Sequence, residues 1–169
     1  MAVLIHSLRL FEAESIKVLQ QSPWYGSKAF PAGAGPDYVN GVVQISSDLH
    51  PDAVLAGLHR IEAEMGRTRA GRWDARVCDL DLLAFDTEVL PELAGFQHWF
   101  DLPLDLQKTN TPTRLVLPHP RLQDRAFVLV PFADIAPDWR HPVLGKTVSE
   151  MLADLPKADI ASVWQISLQ

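Results

Sequence analysis

Apolar residues at Leu4, Ile5, Leu8, Phe11, Ile16 and Leu19 keep approximately helical spacing through residues 2–20. The register weakens near Ser15, which places a helix end there and lets Ile16 to Leu19 open a strand. Residues 22–25 are short and aromatic, and Gly and Pro then punctuate residues 31–36 heavily enough to fix a loop. Residues 38–45 read as a strand, because Val39, Val42, Val43 and Ile45 supply β-branched bulk, with Gly41 as the weak point. Asp48 stands as N-cap of a helix running to Met65, with Pro51 in its first turn and Gly66 as its stop. Val54, Leu55, Leu58, Ile61, Glu62 and Met65 form the stripe along that helix.

Residues 77–85 read as a second strand. Val77, Asp79, Asp81 and Leu83 share one of its faces, and Cys78, Leu80, Leu82 and Ala84 share the other. Residues 91–113 break the pattern with Trp99, Phe100, Pro103 and Pro112, and read as a long excursion holding one short helix. Pro118, His119 and Pro120 make a rigid loop, since each proline fixes its own backbone and restrains the residue before it. A buried helix over residues 126–133 stops at Asp134 to Pro137, and a short amphipathic helix follows over residues 147–155. Strands and helices alternating in this way imply an α+β sandwich with one layered sheet.

Composition narrows the partners. At 169 residues the chain reads as one domain, 1–169, carrying an insertion at about 91–113. A single cysteine, Cys78, excludes an internal disulfide and a cysteine metal knuckle and suits a reducing compartment; it reads as a small core residue. The net charge of -6 argues against nucleic acid as partner. Yet Arg60, Arg67, Arg69, Arg72 and Arg76 crowd into one short stretch, which suits a small anionic ligand. The first residues have neither the basic flank nor the apolar run of a signal peptide or membrane span, so the expectation is a cytoplasmic chain with no membrane contact.

Three constellations carry chemistry. Asp79 and Asp81 leave one strand face roughly 6.5–7 Å apart at the backbone. Two carboxylates that close repel by roughly 2.5–3 kcal/mol at an effective dielectric near 20, so the pair is either a solvated edge-strand face or a cation site. Mg²⁺ suits it, being a hard ion that uses one or two carboxylates and completes its shell with water and phosphate oxygens. Arg67, Arg69, Arg72 and Arg76 precede the pair. Arginine clamps phosphate bidentately, and Trp73 among them either stacks on a purine or anchors the loop. The third constellation is His119 with Arg121, Arg125 and Phe127: a histidine held between prolines, more positive charge, and a ring able to stack. His6, His50, His59, His98 and His141 have no comparable context and no zinc spacing, and read as surface or structural.

Residues 72–85, in which Arg72-Trp73, Arg76 and Asp79-Leu80-Asp81 recur at fixed spacing, resemble the signature of the 6-hydroxymethyl-7,8-dihydropterin pyrophosphokinases of folate biosynthesis. Pro118-His119-Pro120-Arg121 with Arg125-Ala126-Phe127, and Asp37-Tyr38-Val39-Asn40, are similar to two further motifs of that family. The resemblance implies a ferredoxin-like α+β core, ATP as co-substrate, two Mg²⁺ ions and a pterin acceptor. It assigns both metals to Asp79 and Asp81, pterin stacking to Tyr38 and Phe127, and a pterin hydrogen bond to Asn40. Ser27, Ala29 and Phe30 fall on the pterin loop. Glu62, Arg67, Arg69, Trp73, Arg76, Arg114, His119 and Arg125 fall on nucleotide or phosphate positions, with Arg67 and Arg69 on a closing loop and Arg67, Arg69 and Arg76 joining the aspartates in catalysis.

Family members open with a strand in the middle of the sheet, whereas this chain starts inside the first helix. Two expectations stand for a sheet lacking that strand: either the start lies too late in the sequence, or another element such as a second chain fills the gap, with poor stability or an unusual assembly such as a homo-oligomer. Two other readings stand beside pyrophosphoryl transfer. One is a different Mg²⁺-dependent phosphoryl-transfer enzyme. The other is an impaired relative serving as a nucleotide-binding or assembly module.

Overall fold

The computed structural model describes residues 2–28, 36–66 and 78–167. The first helix, α1 (Ala2–Leu10), is followed by a 3-10 turn at Glu12–Glu14. Ser15 then adopts the left-handed conformation at φ 59° and reverses the chain into β1 (Lys17–Gln21). The break expected at Ser15 is therefore present. β2 (Tyr25–Ser27), a strand not anticipated from the sequence, follows.

The expected strand over residues 38–45 is instead two strands, β3 (Tyr38–Asn40) and β4 (Val43–Ser46), in different sheets. Gly41 lies under the Trp24 ring, where a Cβ would sit 2.8 Å from the indole carbons. Ser22 fastens the crossing: its N–H donates to the Val42 carbonyl at 2.9 Å, and its Oγ accepts the Val42 N–H at 3.0 Å. Glycine at this point lets the chain leave one sheet for the other.

Helix α2 (Pro51–Glu64) begins three residues after Asp48. The N-cap is His50, extended at ψ 154° and making no side-chain cap, so Asp48 does not cap the helix. Pro51 causes the shift, because proline suits the first helical position and holds its predecessor extended. Gly66, at φ 88°, ends the helix as expected.

Residues 91–113 hold two helices rather than one, α3 (Leu93–Phe100) and α4 (Leu104–Thr109). The excursion is closed at its base by reciprocal Leu90–Leu117 backbone bonds of 2.9 and 3.1 Å. Helix α5 (Ala126–Ile135) is apolar nearly all round and is accordingly buried. α6 (Val148–Asp154), α7 (Lys157–Ala161) and β5 (Val163–Gln165) complete the order; the last two were not anticipated.

This is an α+β fold with antiparallel sheets and helices packed on them. The sheet comes in two parts, β1–β4 and β3–β2–β5. One apolar cluster gathers Phe11, Ile16, Val54, Leu58, Ile61, Leu82 and Leu117; a second gathers Val42, Leu122, Leu129, Phe132, Val148 and Met151 around α5 and α6.

The strand expected at residues 77–85 is not formed by its described part, residues 78–85. Those residues keep a strand's alternation: Cys78 and Leu82 are buried, and Asp79 and Asp81 are exposed. What they lack is a ladder, because the flank toward β4 opens on a slot instead of a neighbouring strand. A strand needs a partner as well as a pattern.

Candidate active site

Alternation sets the carboxylates. With Cys78 and Leu82 drawn into the core, Asp79 and Asp81 emerge on the opposite side. Glu62, 1% exposed on α2, accepts the Leu80 N–H on Oε1 at 2.9 Å and so fixes the backbone between the two aspartates. It therefore acts on the site through the main chain. Cys78 is buried and its thiol pKa is raised, chiefly by burial, which is the reverse of nucleophile activation.

The second wall comes from the loop before α5. The His119 N–H donates to the Leu83 carbonyl at 2.8 Å, which ties this loop to the aspartate segment. His119 Nδ1 accepts the Arg121 N–H at 3.1 Å, so the neutral ring carries its proton on Nε2. Its pKa is lowered, first by burial, with Asp81 opposing and Arg125 and Arg121 reinforcing. Arg125 Nη1 lies 4.0 Å from Asp81 Oδ2. The same guanidinium stands 5.7 Å from the centroid of the Phe127 ring. Arg125 thus joins the carboxylates to an aromatic face. Arg121 is held by Asp124 at 2.8 Å, and Arg114 is exposed on the connection into Leu117.

The third wall is the β3–β2 pair. Its register puts Tyr25 opposite Asn40 and Ser27 opposite Tyr38, so all four side chains leave one face. Asn40 Nδ2 donates to Ser27 Oγ at 2.9 Å and to the Tyr25 carbonyl at 3.4 Å. That orients the amide and commits its nitrogen. Tyr38 is 49% exposed and Phe127 38% exposed, two large hydrophobic residues that the fold does not bury. Helix α5, whose first turn carries Phe127, packs against both β2 and β3.

Sequence reasoning missed the brace between those walls. Tyr25 Oη donates to Asp134 Oδ2 at 2.7 Å, and burial and the carboxylate together raise the phenol pKa to about 12. The partners lie 109 positions apart, so nothing local in the sequence connects them. Of the expected site residues, Ser27, Tyr38, Asn40, Glu62, Asp79, Asp81, Arg114, His119, Arg125 and Phe127 are described. Ala29, Phe30, Arg67, Arg69, Arg72, Trp73 and Arg76 lie outside the described residues.

The donor set suits a hard cation. Asp79 and Asp81 offer exposed carboxylate oxygens on one side, and no group of three or more acidic, histidine or cysteine residues gathers among the described residues. Such a site leaves most coordination positions to water and phosphate oxygens, the mode Mg²⁺ prefers.

Comparison with known proteins follows the same line. The family model for 7,8-dihydro-6-hydroxymethylpterin-pyrophosphokinase (HPPK) matches residues 1–137. The 2-amino-4-hydroxy-6-hydroxymethyldihydropteridine pyrophosphokinase of Synechocystis is 36% identical over 152 residues, covering 90% of this chain and 66% of that protein, just under two thirds. The Pseudomonas aeruginosa protein of the same name is 39% identical over 140 residues, 83% of this chain and 74% of its own length. The folic acid synthesis protein fol1 of Pneumocystis carinii is 29% identical over 160 residues, which cover 95% of this chain and 19% of that protein.

Proposed function

Because this chain belongs to the HPPK family, we propose that it transfers the pyrophosphoryl group of ATP to the hydroxymethyl oxygen of 6-hydroxymethyl-7,8-dihydropterin, releasing AMP, a step of folate synthesis. The observation that carries the reading is the position of Arg125, beside Asp81 and against the Phe127 ring. A phosphate-binding guanidinium thus stands between the carboxylates and a flat aromatic face, an arrangement suited to transfer from a nucleotide to a planar alcohol.

The pterin would lie between the Tyr38 and Phe127 rings, with its polar edge on Asn40 and Ser27. Stacking removes rotational freedom from the acceptor and points its alcohol toward the aspartates, which lowers the entropy cost of reaching the transition state. His119 would offer Nε2–H to a phosphate oxygen, and Arg125, with Arg114 nearby in sequence, would offset the charge of the transferring group. Asp79 and Asp81 would hold Mg²⁺, two ions by family resemblance, which when bound neutralise phosphate charge and orient the attacking and leaving oxygens. Arg67, Arg69, Trp73 and Arg76 complete the nucleotide side of this proposal on family resemblance alone.

AMP release from ATP and Mg²⁺, measured with and without the hydroxymethyl-dihydropterin, tests the proposal. Release that depends on the pterin is expected. Pterin-independent release would point to another phosphoryl-transfer enzyme, and no release would point to a binding module; either overturns the reading.

A further inference from the structure

The two faces of the β3–β2–β5 sheet are covered differently. Tyr25 and Ser27 leave one face together with Tyr38 and Asn40, and α5 lies on that side, its Asp134 bonded to Tyr25 Oη. The register sets Gly26 opposite both Val39 and Trp164, so these three belong to the other face. There the Trp164 ring lies directly on the β2 backbone: a Cβ on Gly26 would collide with the indole carbons and stand 2.6 Å from Nε1. Only glycine admits a ring that close to a strand. β2 is therefore held between a helix on one side and a single indole on the other. Lys28, the residue after β2, extends the contact: its ammonium stands over the Trp164 ring, 5.4 Å from the centroid, and 2.9 Å from Asp37 Oδ2. Asp37 immediately precedes β3. Ring, ammonium and carboxylate thus tie all three strands at one end, the end where Ser27 stands opposite Tyr38 and Val163.

We propose, on the pterin reading of the opposite face, that Trp164 is a positioning residue for the acceptor: it holds β2 and β3 so that Ser27, Asn40 and Tyr38 keep their places. β2 is three residues long with glycine at its centre, the residue least able to restrain its own backbone, so its alignment needs a restraint from outside. Alignment matters because the Asn40 Nδ2 bonds to Ser27 Oγ and to the Tyr25 carbonyl cross from β3 to β2, and a slip between the strands turns the amide. Trp164 acts without touching the acceptor, since a strand sends alternate side chains to opposite faces. The Lys28 and Asp37 side chains are 71% and 42% exposed, and an ion pair so exposed adds little to stability. What it sets is the position of the residue after Ser27 against the residue before Tyr38. Asp79, Asp81 and Arg125 stand on other segments, so the effect belongs to the acceptor and not to the nucleotide.

The test is steady-state kinetics of Trp164→Ala, Trp164→Phe and Lys28→Met, with the pterin and ATP varied in turn. Trp164→Ala is expected to raise the KM for the pterin about tenfold and to leave the KM for ATP within about twofold of the parent value. Phenylalanine still covers Gly26 and faces Lys28, so Trp164→Phe should keep the pterin KM within about threefold of the parent. Lys28→Met retains the length of the side chain and removes its charge. It should raise the pterin KM about threefold, and should add nothing once Trp164 is already alanine. A pterin KM unchanged in Trp164→Ala overturns the proposal. So do equal rises in both KM values, which mark a general loosening of the fold. If Trp164→Ala does not fold, Lys28→Met, altered on an exposed side chain, decides: the threefold rise supports the proposal and an unchanged pterin KM overturns it. The unaltered chain separates the two readings. Without pterin-dependent AMP release from it, both fall; with that release and unaffected variants, only the role of Trp164 falls.

Discussion

Asp81 is exposed and contributes little to packing, so its replacement isolates a chemical role. Asp81→Ala should lower pyrophosphoryl transfer by about a thousandfold or more, corresponding to some 4 kcal/mol of lost charge stabilisation, with unchanged circular dichroism. Activity within a few-fold of the parent would remove Asp81 from the mechanism. Phe127 makes a different prediction, because half-exposed rings bind without carrying charge. Phe127→Ala should raise the KM for the pterin roughly tenfold and leave the KM for ATP nearly unchanged, as steady-state kinetics with each substrate varied would show.

His141 is wholly buried, and its pKa is lowered to about 4 by burial. Its Nδ1 accepts the Val143 and Leu144 N–H groups, each at 3.2 Å, while the ring packs against Phe96 and Trp139. Protonation would set an N–H against two donors. A histidine whose folded pKa lies below its unfolded value contributes stability fully above the unfolded value, near 6.5, and loses it as pH falls toward about 4. Urea unfolding between pH 7 and pH 4 should show a loss on the order of 3 kcal/mol at most from this group. His141→Phe should flatten that slope; an unchanged slope would assign the acid sensitivity elsewhere.

Elements whose cause is local were legible in the sequence. The helix beginning near Thr147 is an example: Thr147 Oγ1 accepts the Glu150 N–H at 3.1 Å, and the Glu150 carboxylate accepts the Thr147 N–H at 2.7 Å. Thr147→Ala should therefore cost about 1 kcal/mol, read as a drop in the unfolding midpoint of roughly 2–4 °C. Elements that depend on a distant neighbour were not legible. Residues 77–85 have a strand's alternation, yet no pattern within them reveals whether a partner lies alongside. The split at Gly41 depends on the Trp24 ring, and β2 became a strand because β3 and β5 flank it. The same division runs through the site. Asp79, Asp81, His119 and Phe127 stood out by residue type and spacing, while the Tyr25–Asp134 brace and the Arg125–Asp81 approach exist only once the chain has folded.

At the scale of the molecule, the long excursion after residue 90 is part of the body. Phe96 is fully buried against Phe100 and His141, and the Leu90–Leu117 bonds join the two ends of the excursion. Phe96→Ala should cost about 3–5 kcal/mol in urea unfolding, whereas a detachable loop would lose almost nothing.

Trp139 has a further consequence. Its ring lines the slot, stacks on Phe132 at 5.4 Å and donates from Nε1 to the Asp86 carbonyl at 3.0 Å. An indole placed there is a built-in optical reporter. Loss of the Phe132 stack and of the Asp86 bond would expose the ring to water, moving Trp139 emission to longer wavelength and opening it to iodide quenching. With the other tryptophans replaced by phenylalanine, the light from one side chain would report when α5 and the Asp86 segment come apart.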